Sequence, residues 1–387
     1  MKVALIAPQP FADIRATPLE NLRLTRILAD SGHEVDVITY PLGTADDYPG
    51  VTVHRCPPVP MVRSVGIGFS PAKLLLDISL MRCASRLARK RRFDCIHGVE
   101  EGSLIGGIIS RRHGIPLIYD MDSVLSYEIS QSRLRMVPGV RLVCRAAERW
   151  AIRSASVIIT ISAQMADFTR EINPQAHVAV IPDVPVSSDE ATSPESIYDF
   201  LAPRCVDGGC LVLYAGSFAR YQGLDLLIGA MRRVVAERPD VTLALIGGNE
   251  KEIAQIRRMA ESAGLKANVQ FIGKRPPGEI PHFLAAADVL VSPRSRGMNP
   301  PAKVATYMNS GTPVVATDIP AHRAILSPDT AFVTPPTPEG LAEGILSALS
   351  DRDEARRRAD RARESVASLT WDLHRRQVLE AYAALER

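Results

Sequence analysis

LVLYAGSFARYQGLDLLIGAM, residues 211–231, is one βα unit written out in full. An apolar run ends at Gly216, a short polar loop follows, and an amphipathic segment opens at Gly223-Leu224-Asp225. A short apolar run that hands over to a 3.6-residue period is a buried strand followed by a helix. Glycine at the strand end lets a ligand approach the backbone. A helix N-terminus beside it offers unpaired N–H groups to a phosphate. Taken alone, the segment also fits an ordinary βα turn.

The same alternation extends in both directions and predicts an α/β chain with parallel sheets. Downstream, strands are expected at Thr242–Ile246, Val269–Ile272, Val289–Val291, Val314–Ala316 and Ala331–Val333. Helices are expected at Leu224–Glu237, Lys251–Ala263, Pro277–Ala286, Pro301–Ser310, Pro338–Leu349 and Asp353–Val366. Upstream, the strand candidates are Val3–Ala7, Glu34–Ile38, Val51–His54, Cys95–His97, Leu117–Tyr119, Val157–Ile161 and Val178–Ile181. Helical stretches between them include Leu19–Ser31, Ala72–Lys90 and Arg141–Ser154. The two sets meet at DVPVSSDEATSPESIYDFLAPRCVDGG, residues 183–209, whose Ser, Pro, Asp and Gly content marks a linker. The fold class is therefore two Rossmann-like doubly wound domains facing across a cleft. Such sheets take ligands beyond the carboxyl ends of their strands.

A length of 387 residues suits two domains of ordinary size. The 46% hydrophobic and 23% charged content is that of a folded chain. A net charge of +3 gives no support to nucleic-acid binding. Six scattered cysteines form no Cys-x-x-Cys pair and have no histidine set beside them, which predicts reduced thiols and no metal site. The opening MKVALIAPQPF has too short an apolar run for a signal peptide. No later run reaches the ~18 apolar residues of a membrane span. A cytoplasmic protein is expected, peripheral to the inner membrane face at most.

The second informative stretch is LVSPRSRGMNPPAKVATYMNSGTPVVATDIPAHRAIL, residues 290–326. A strand runs into a loop with Arg294, Arg296, Gly297 and Asn299, and Pro300-Pro301 sets up a helix carrying Lys303 and Thr306. Guanidinium groups, an ammonium and helix N–H donors within two turns suit a diphosphate. A solvated basic loop is the alternative, but it needs neither the glycine nor the Pro-Pro entry.

With GSFARYQGLDLLI at 216–228, ALIGG at 244–248, VQFIGKRPPGEIPHFLAAADVLVSPR at 269–294 and NSGTPVVATD at 309–318, the chain resembles the retaining GT-B-fold glycosyltransferases called glycosyl transferases group 1. AERWAIRSASVIITIS at 147–162, VAVIPDVP at 178–185 and TWDLHRRQVLEAY at 370–382 extend the likeness over nearly the whole length. The resemblance implies an acceptor-side domain at 1–185, a linker at 186–209, a nucleotide-sugar domain at 210–370, and a helix at 371–387 returning to the first domain. It implies sugar transfer from a nucleoside diphosphate sugar to an acceptor hydroxyl with retention, in cell-surface glycan or glycolipid synthesis, without metal or resident cofactor. Arg294 and Lys303 are then expected at the leaving diphosphate. Gly216, Ser217, Arg220, Gln222 and Gly223 would form one donor loop, and Lys274, Gly297, Met298, Asn299 and Thr306 the rest of the donor site.

The chain also departs from the family. Two glutamates eight positions apart are usual in the second stretch, and their places are Met298 and Thr306. The common Arg and Lys after the first glycine are Ser217 and Gln222, and the usual Asn near the linker is Asp183. A histidine often closes the fifth strand of the first domain, and Asp122 stands there. PFADIRATP replaces the frequent Gly-Gly of the first loop. These departures describe a divergent branch and keep two rivals open: a non-catalytic binding subunit and a sugar-nucleotide epimerase. On the acceptor side Arg15, His97, Glu101 and Asp122 are expected to face ligand, with a structural His97 and a helix-capping Asp122 as alternatives. Arg86, Arg89, Lys90, Arg91 and Arg92, and the stripe Arg141, Arg145, Arg149 and Arg153, read as solvated faces or as a patch for anionic lipid headgroups.

Overall fold

The computed structural model describes residues 1–11, 16–43, 47–60, 62, 65, 71–131, 137–186 and 209–386. The chain divides into two compact units, Met1–Pro182 with Asp372–Arg387, and Asp183–Trp371. Most of the expected linker and all of the first-loop segment 12–15, Arg15 included, lie outside the described residues.

The first unit runs β1 Lys2–Ala7, α1 Ala16–Asp30, β2 Glu34–Thr39, β3 Val51–Arg55, α2 Pro71–Lys90, β4 Cys95–Val99, α3 Gly102–His113 and β5 Leu117–Met121. It continues through α4 Leu125–Gln131, α5 Val140–Ser154, β6 Val157–Thr160, α6 Ala163–Ile172 and β7 His177–Val180. Its sheet is parallel, in the order β3-β2-β1-β4-β5-β6-β7. The inner strands are apolar on both faces because helices cover both, which is why they read in the sequence as continuous runs.

The second unit runs β8 Cys210–Ala215, α7 Leu224–Glu237, β9 Val241–Ile246, α8 Glu250–Ser262, β10 Val269–Gly273, α9 Ile280–Ala285 and β11 Val289–Ser292. It continues through α10 Ala302–Ser310, β12 Val314–Thr317, α11 Pro320–Arg323, β13 Phe332–Thr334, α12 Pro338–Ser350 and α13 Arg352–Val366. The order β10-β9-β8-β11-β12-β13 is again parallel. Local signals set the helix ends: Asn249 and Glu252 form a capping box on α8, and Gly311 in the left-handed region closes α10.

Chain order reverses beside β1 in one sheet and beside β8 in the other. A crevice opens at each reversal, beyond the carboxyl ends of β1 and β4 and of β8 and β11. The last helix, α14 Trp371–Ala383, buries Val378, Ala381 and Tyr382 among Val3, Leu5, Val35, Val37 and Ile118 of the first unit.

Candidate functional site

In the second unit the loops after β8 and β11 meet at the crevice. Pairing between β8 and β11 stops at Leu213–Leu290, and the Tyr307 hydroxyl takes over the backbone of Ala215. It accepts from Ala215 N at 2.7 Å and donates to Ala215 O at 2.9 Å. Lys303 lies one turn earlier on the same face of α10, so fixing Tyr307 places Lys303 over the strand end. Lys303 Nζ donates to Gln222 Oε1 at 3.0 Å and stands 4.0 Å from the centre of the Tyr214 ring. Among the described residues no carboxylate pairs with it. Burial first, and then the Arg294 guanidinium, push its ammonium well below the usual lysine range. Gly216 leaves the room: a Cβ there would meet Lys303 Cδ and Nζ at 3.3 Å.

Arg294, expected at the diphosphate, is bonded within its own loop. It is 8% exposed, and its Nε donates to Arg296 O at 2.9 Å. Its terminal nitrogens donate to Asn299 O and Asn299 Oδ1, both at 3.1 Å. The guanidinium therefore braces the 294–299 loop from within. Gly297 is required beneath it, because its φ is +149° and a Cβ would overlap the guanidinium. Ala321 N, at the start of α11, donates to Gly297 O at 3.2 Å.

The loop is also tied from behind. Ser292 Oγ lies 2.9 Å from His322 Nε2, and His322 Nδ1 lies 2.7 Å from Thr317 O. A carbonyl can only accept, so Nδ1 carries the proton and Nε2 accepts from the serine. Thr317 Oγ1 then donates to Arg294 O at 2.5 Å. Burial holds His322 neutral, with its pKa lowered to about 4.

The other expected donor residues divide. Ser217, Gln222 and Gly223 join Gly216 and Lys303 at the end of β8, with Tyr214 OH donating to Ser217 O at 2.5 Å. Arg220 is exposed on the turn before Gly223 and has no bonded partner among the described residues. Lys274 is exposed after β10, two strands from β8 and so roughly 10 Å off. Met298 is half-buried in the braced loop. Thr306 Oγ1 accepts from Val186 N at 3.2 Å and keeps its own proton to donate.

In the first unit His97 does not face a ligand. Its side chain is fully buried, with Nε2 3.2 Å from Asp120 Oδ2 and Nδ1 2.8 Å from the Tyr382 hydroxyl. An imidazole with both nitrogens engaged inside the core cannot meet an acceptor, which corrects that expectation. Glu101 follows β4 and pairs with Lys73 of α2. Asp122 is half-buried on the turn between β5 and α4. The helix entry there is met by Glu148 of α5, whose Oε1 accepts from Ser126 N at 3.3 Å.

Tyr214, Tyr307, Ser292 and His322 were not singled out in the sequence. The 303/307 helical spacing was visible, but Gln222 and Lys303 are 81 residues apart and nothing local joins them.

Two family models match: glycosyl transferases group 1 over residues 205–365, and a glycosyl transferase 4-like domain over 21–183. The chain is a glycosyltransferase, with a group 1 domain in its second half and a glycosyl transferase 4-like domain in its first. The glycosyltransferase is 29% identical to the 2-deoxystreptamine N-acetyl-D-glucosaminyltransferase of Streptomyces fradiae, over 95% of this chain and 88% of that one. It is 24% identical to the phosphatidyl-myo-inositol mannosyltransferase of Mycolicibacterium smegmatis, over 99% and 93%. Among solved structures, sucrose-phosphate synthase from Thermosynechococcus elongatus superposes with a TM-score of 0.80 at 20% identity, covering 100% and 99%. Anabaena HepE in complex with UDP-glucose gives 0.75 at 19%, covering 99% and 100%. The fold is thus that of the GT-B glycosyltransferases, as the alternating pattern and the motif order predict.

Proposed function

We propose that the glycosyltransferase moves a sugar from a nucleoside diphosphate sugar to an acceptor hydroxyl with retention, the diphosphate lying at the ends of β8 and β11. The observation that carries this reading is Lys303, a cation with no acid partner among the described residues, lodged beside Gly216 at the crevice. The N-terminus of α7 opens next to it at Gly223. Cation and N–H dipoles together stabilise the charge that grows on the departing diphosphate. In this mechanism the leaving phosphate oxygen takes the acceptor proton, so a protein base is not required. A relative solved with UDP-glucose and another named for transfer to phosphatidyl-myo-inositol support a nucleotide donor and a polyol or lipid-linked acceptor. The acceptor falls to the first unit, near Glu101 and Asp122, in glycan or glycolipid synthesis.

Peripheral contact with an anionic membrane is part of the proposal. No helix among the described residues is long and apolar enough to cross a membrane. Leu142 and Val143 of α5 are nevertheless 73% and 67% exposed beside the exposed Arg141 and Arg145.

The test is calorimetric titration with UDP, GDP, ADP and dTDP. Loss of a charge-assisted contact in Lys303→Ala should weaken nucleotide binding by about 1.5–3 kcal/mol and leave the melting temperature near wild type. Arg294→Ala should lower both, because it removes the brace of the loop. Unchanged nucleotide affinity in Lys303→Ala removes the diphosphate from this place. Tight nucleotide binding without sugar transfer would turn the reading to a binding subunit, and conversion of donor without any acceptor to an epimerase.

A further inference from the structure

The short turn Arg220–Gln222 follows β8 and the 294–299 loop follows β11, yet the two are built against each other at Tyr221. The Tyr221 carbonyl accepts from Ser295 N at 2.9 Å and from Ser295 Oγ at 3.2 Å. The Arg294 guanidinium lies over the Tyr221 ring, 5.2 Å from its centre. Two residues on, Gly223 touches the backbone of the β11 loop so closely that a Cβ would overlap Pro293 O. Between Tyr221 and Gly223 stands Gln222, whose Oε1 accepts from Lys303 Nζ at 3.0 Å.

This order of contacts bears on the cation. Lys303 carries its ammonium on a flexible four-carbon stem, and ordering such a side chain is a cost that binding must otherwise meet. Gln222 can hold Lys303 only as firmly as its own turn is held. That turn is a single 3-10 stretch of three residues, too short to be rigid by itself. Arg294, by contrast, is fixed through Arg296 and Asn299, so it offers the Tyr221 ring a rigid plane.

We propose that Tyr221 is a positioning residue for the donor site. Its ring, clamped under Arg294, fixes the turn from which Gln222 holds Lys303 in place before a nucleoside diphosphate arrives. The inference rests on the diphosphate reading above. Tyr221 touches no ligand in this scheme and acts through Gln222 and Lys303. The ring face is the part that matters, because the guanidinium is drawn to the π electrons.

The experiment measures, on the full chain by calorimetry, affinity for whichever of UDP, GDP, ADP and dTDP the wild type binds most tightly. Tyr221→Leu keeps apolar bulk without the π face and should weaken binding by about three- to thirtyfold. Tyr221→Phe keeps the face and should restore wild-type affinity. Indirect action is read from a double-mutant cycle: in a Lys303→Ala background, Tyr221→Leu should change the residual affinity by less than about twofold. If that background binds too weakly to measure, Gln222→Ala replaces it and should show the same non-additivity. If Tyr221→Leu does not fold, Tyr221→Met takes its place with the same expectations. Equal losses in the wild-type and variant backgrounds mean that Tyr221 meets the ligand itself or acts apart from Lys303, and they overturn the proposal. Wild-type affinity in Tyr221→Leu, or an equal loss in Tyr221→Phe, overturns it too, and each of these results leaves the diphosphate site standing. Wild-type affinity in Lys303→Ala, or no binding of any of the four nucleotides, defeats the underlying reading instead.

Discussion

His322 is the side chain on which the 294–299 loop leans, and its chemistry gives the second unit a built-in acid sensitivity. Burial keeps the imidazole neutral, lowering its pKa from 6.5 to about 4. Its hydrogen bonds need that form, with Nδ1–H towards Thr317 O and Nε2 free to accept from Ser292. Between the two pKa values the unfolded chain binds a proton that the folded chain refuses. Stability from this residue is therefore complete above about pH 6.5 and declines as pH falls towards about 4. A shift of that size corresponds to something on the order of 3 kcal/mol. His322→Asn should be less stable than wild type at neutral pH, where it loses the serine bond, yet show a shallower decline on acidification. Urea midpoints measured from pH 7 down to about pH 4 check this, and parallel curves for the two proteins would remove His322 as the cause.

Helix α5 carries two programmes at once. Its inner face buries Glu148, Ala151 and Ile152, while Arg141, Arg145, Arg149 and Arg153 point to solvent every fourth residue. The sequence showed the arginine stripe, but not that Leu142 and Val143 stand exposed beside it, because a short apolar pair in a helix ordinarily belongs to the core. Exposed apolar side chains flanked by arginines suit the headgroup boundary of an anionic bilayer. Leu142→Asn with Val143→Asn should abolish co-sedimentation with vesicles containing phosphatidylglycerol and leave binding of soluble nucleotide unchanged. Equal sedimentation of variant and wild type, or none by either, counts against the membrane proposal. Strands were legible for a related reason. Runs such as Leu211–Tyr214 and Val314–Ala316 are covered on both faces, so nothing interrupts their apolar character. Short helices were not: α4 and α11 have too few turns to establish a period. At the site, Gly216, Gly223 and Gly297 could be read from the chain because a backbone constraint is local. The partnership of Tyr214 with Lys303 could not, because it exists only once α10 is laid across β8.

At the scale of the whole chain, the last residues complete the first unit. Tyr382 of α14 is fully buried, its hydroxyl 2.8 Å from His97 Nδ1 and its ring stacked on the imidazole at 5.8 Å. His97 Nε2 reaches Asp120 at the end of β5, so one chain of contacts joins the C-terminal helix to the two central strands β4 and β5. A histidine that is structural in this way explains why its removal would act through folding before chemistry. Tyr382→Phe keeps the ring and its packing but leaves the buried Nδ1 without its partner, which costs about 1–3 kcal/mol. Tyr382→Ala also opens a cavity in the core, and the loss of a large buried aromatic costs about 3–5 kcal/mol. For a unit of this size each kcal/mol moves the midpoint by roughly 2–4 °C. Deleting residues 371–387 uncovers the apolar face formed by Val3, Leu5, Val35 and Val37 and should cost more than either substitution. Scanning calorimetry of the wild type, the two Tyr382 variants and the deletion should therefore give melting temperatures in that descending order. A deletion that melts with the wild type would mean that α14 adds nothing to the first unit.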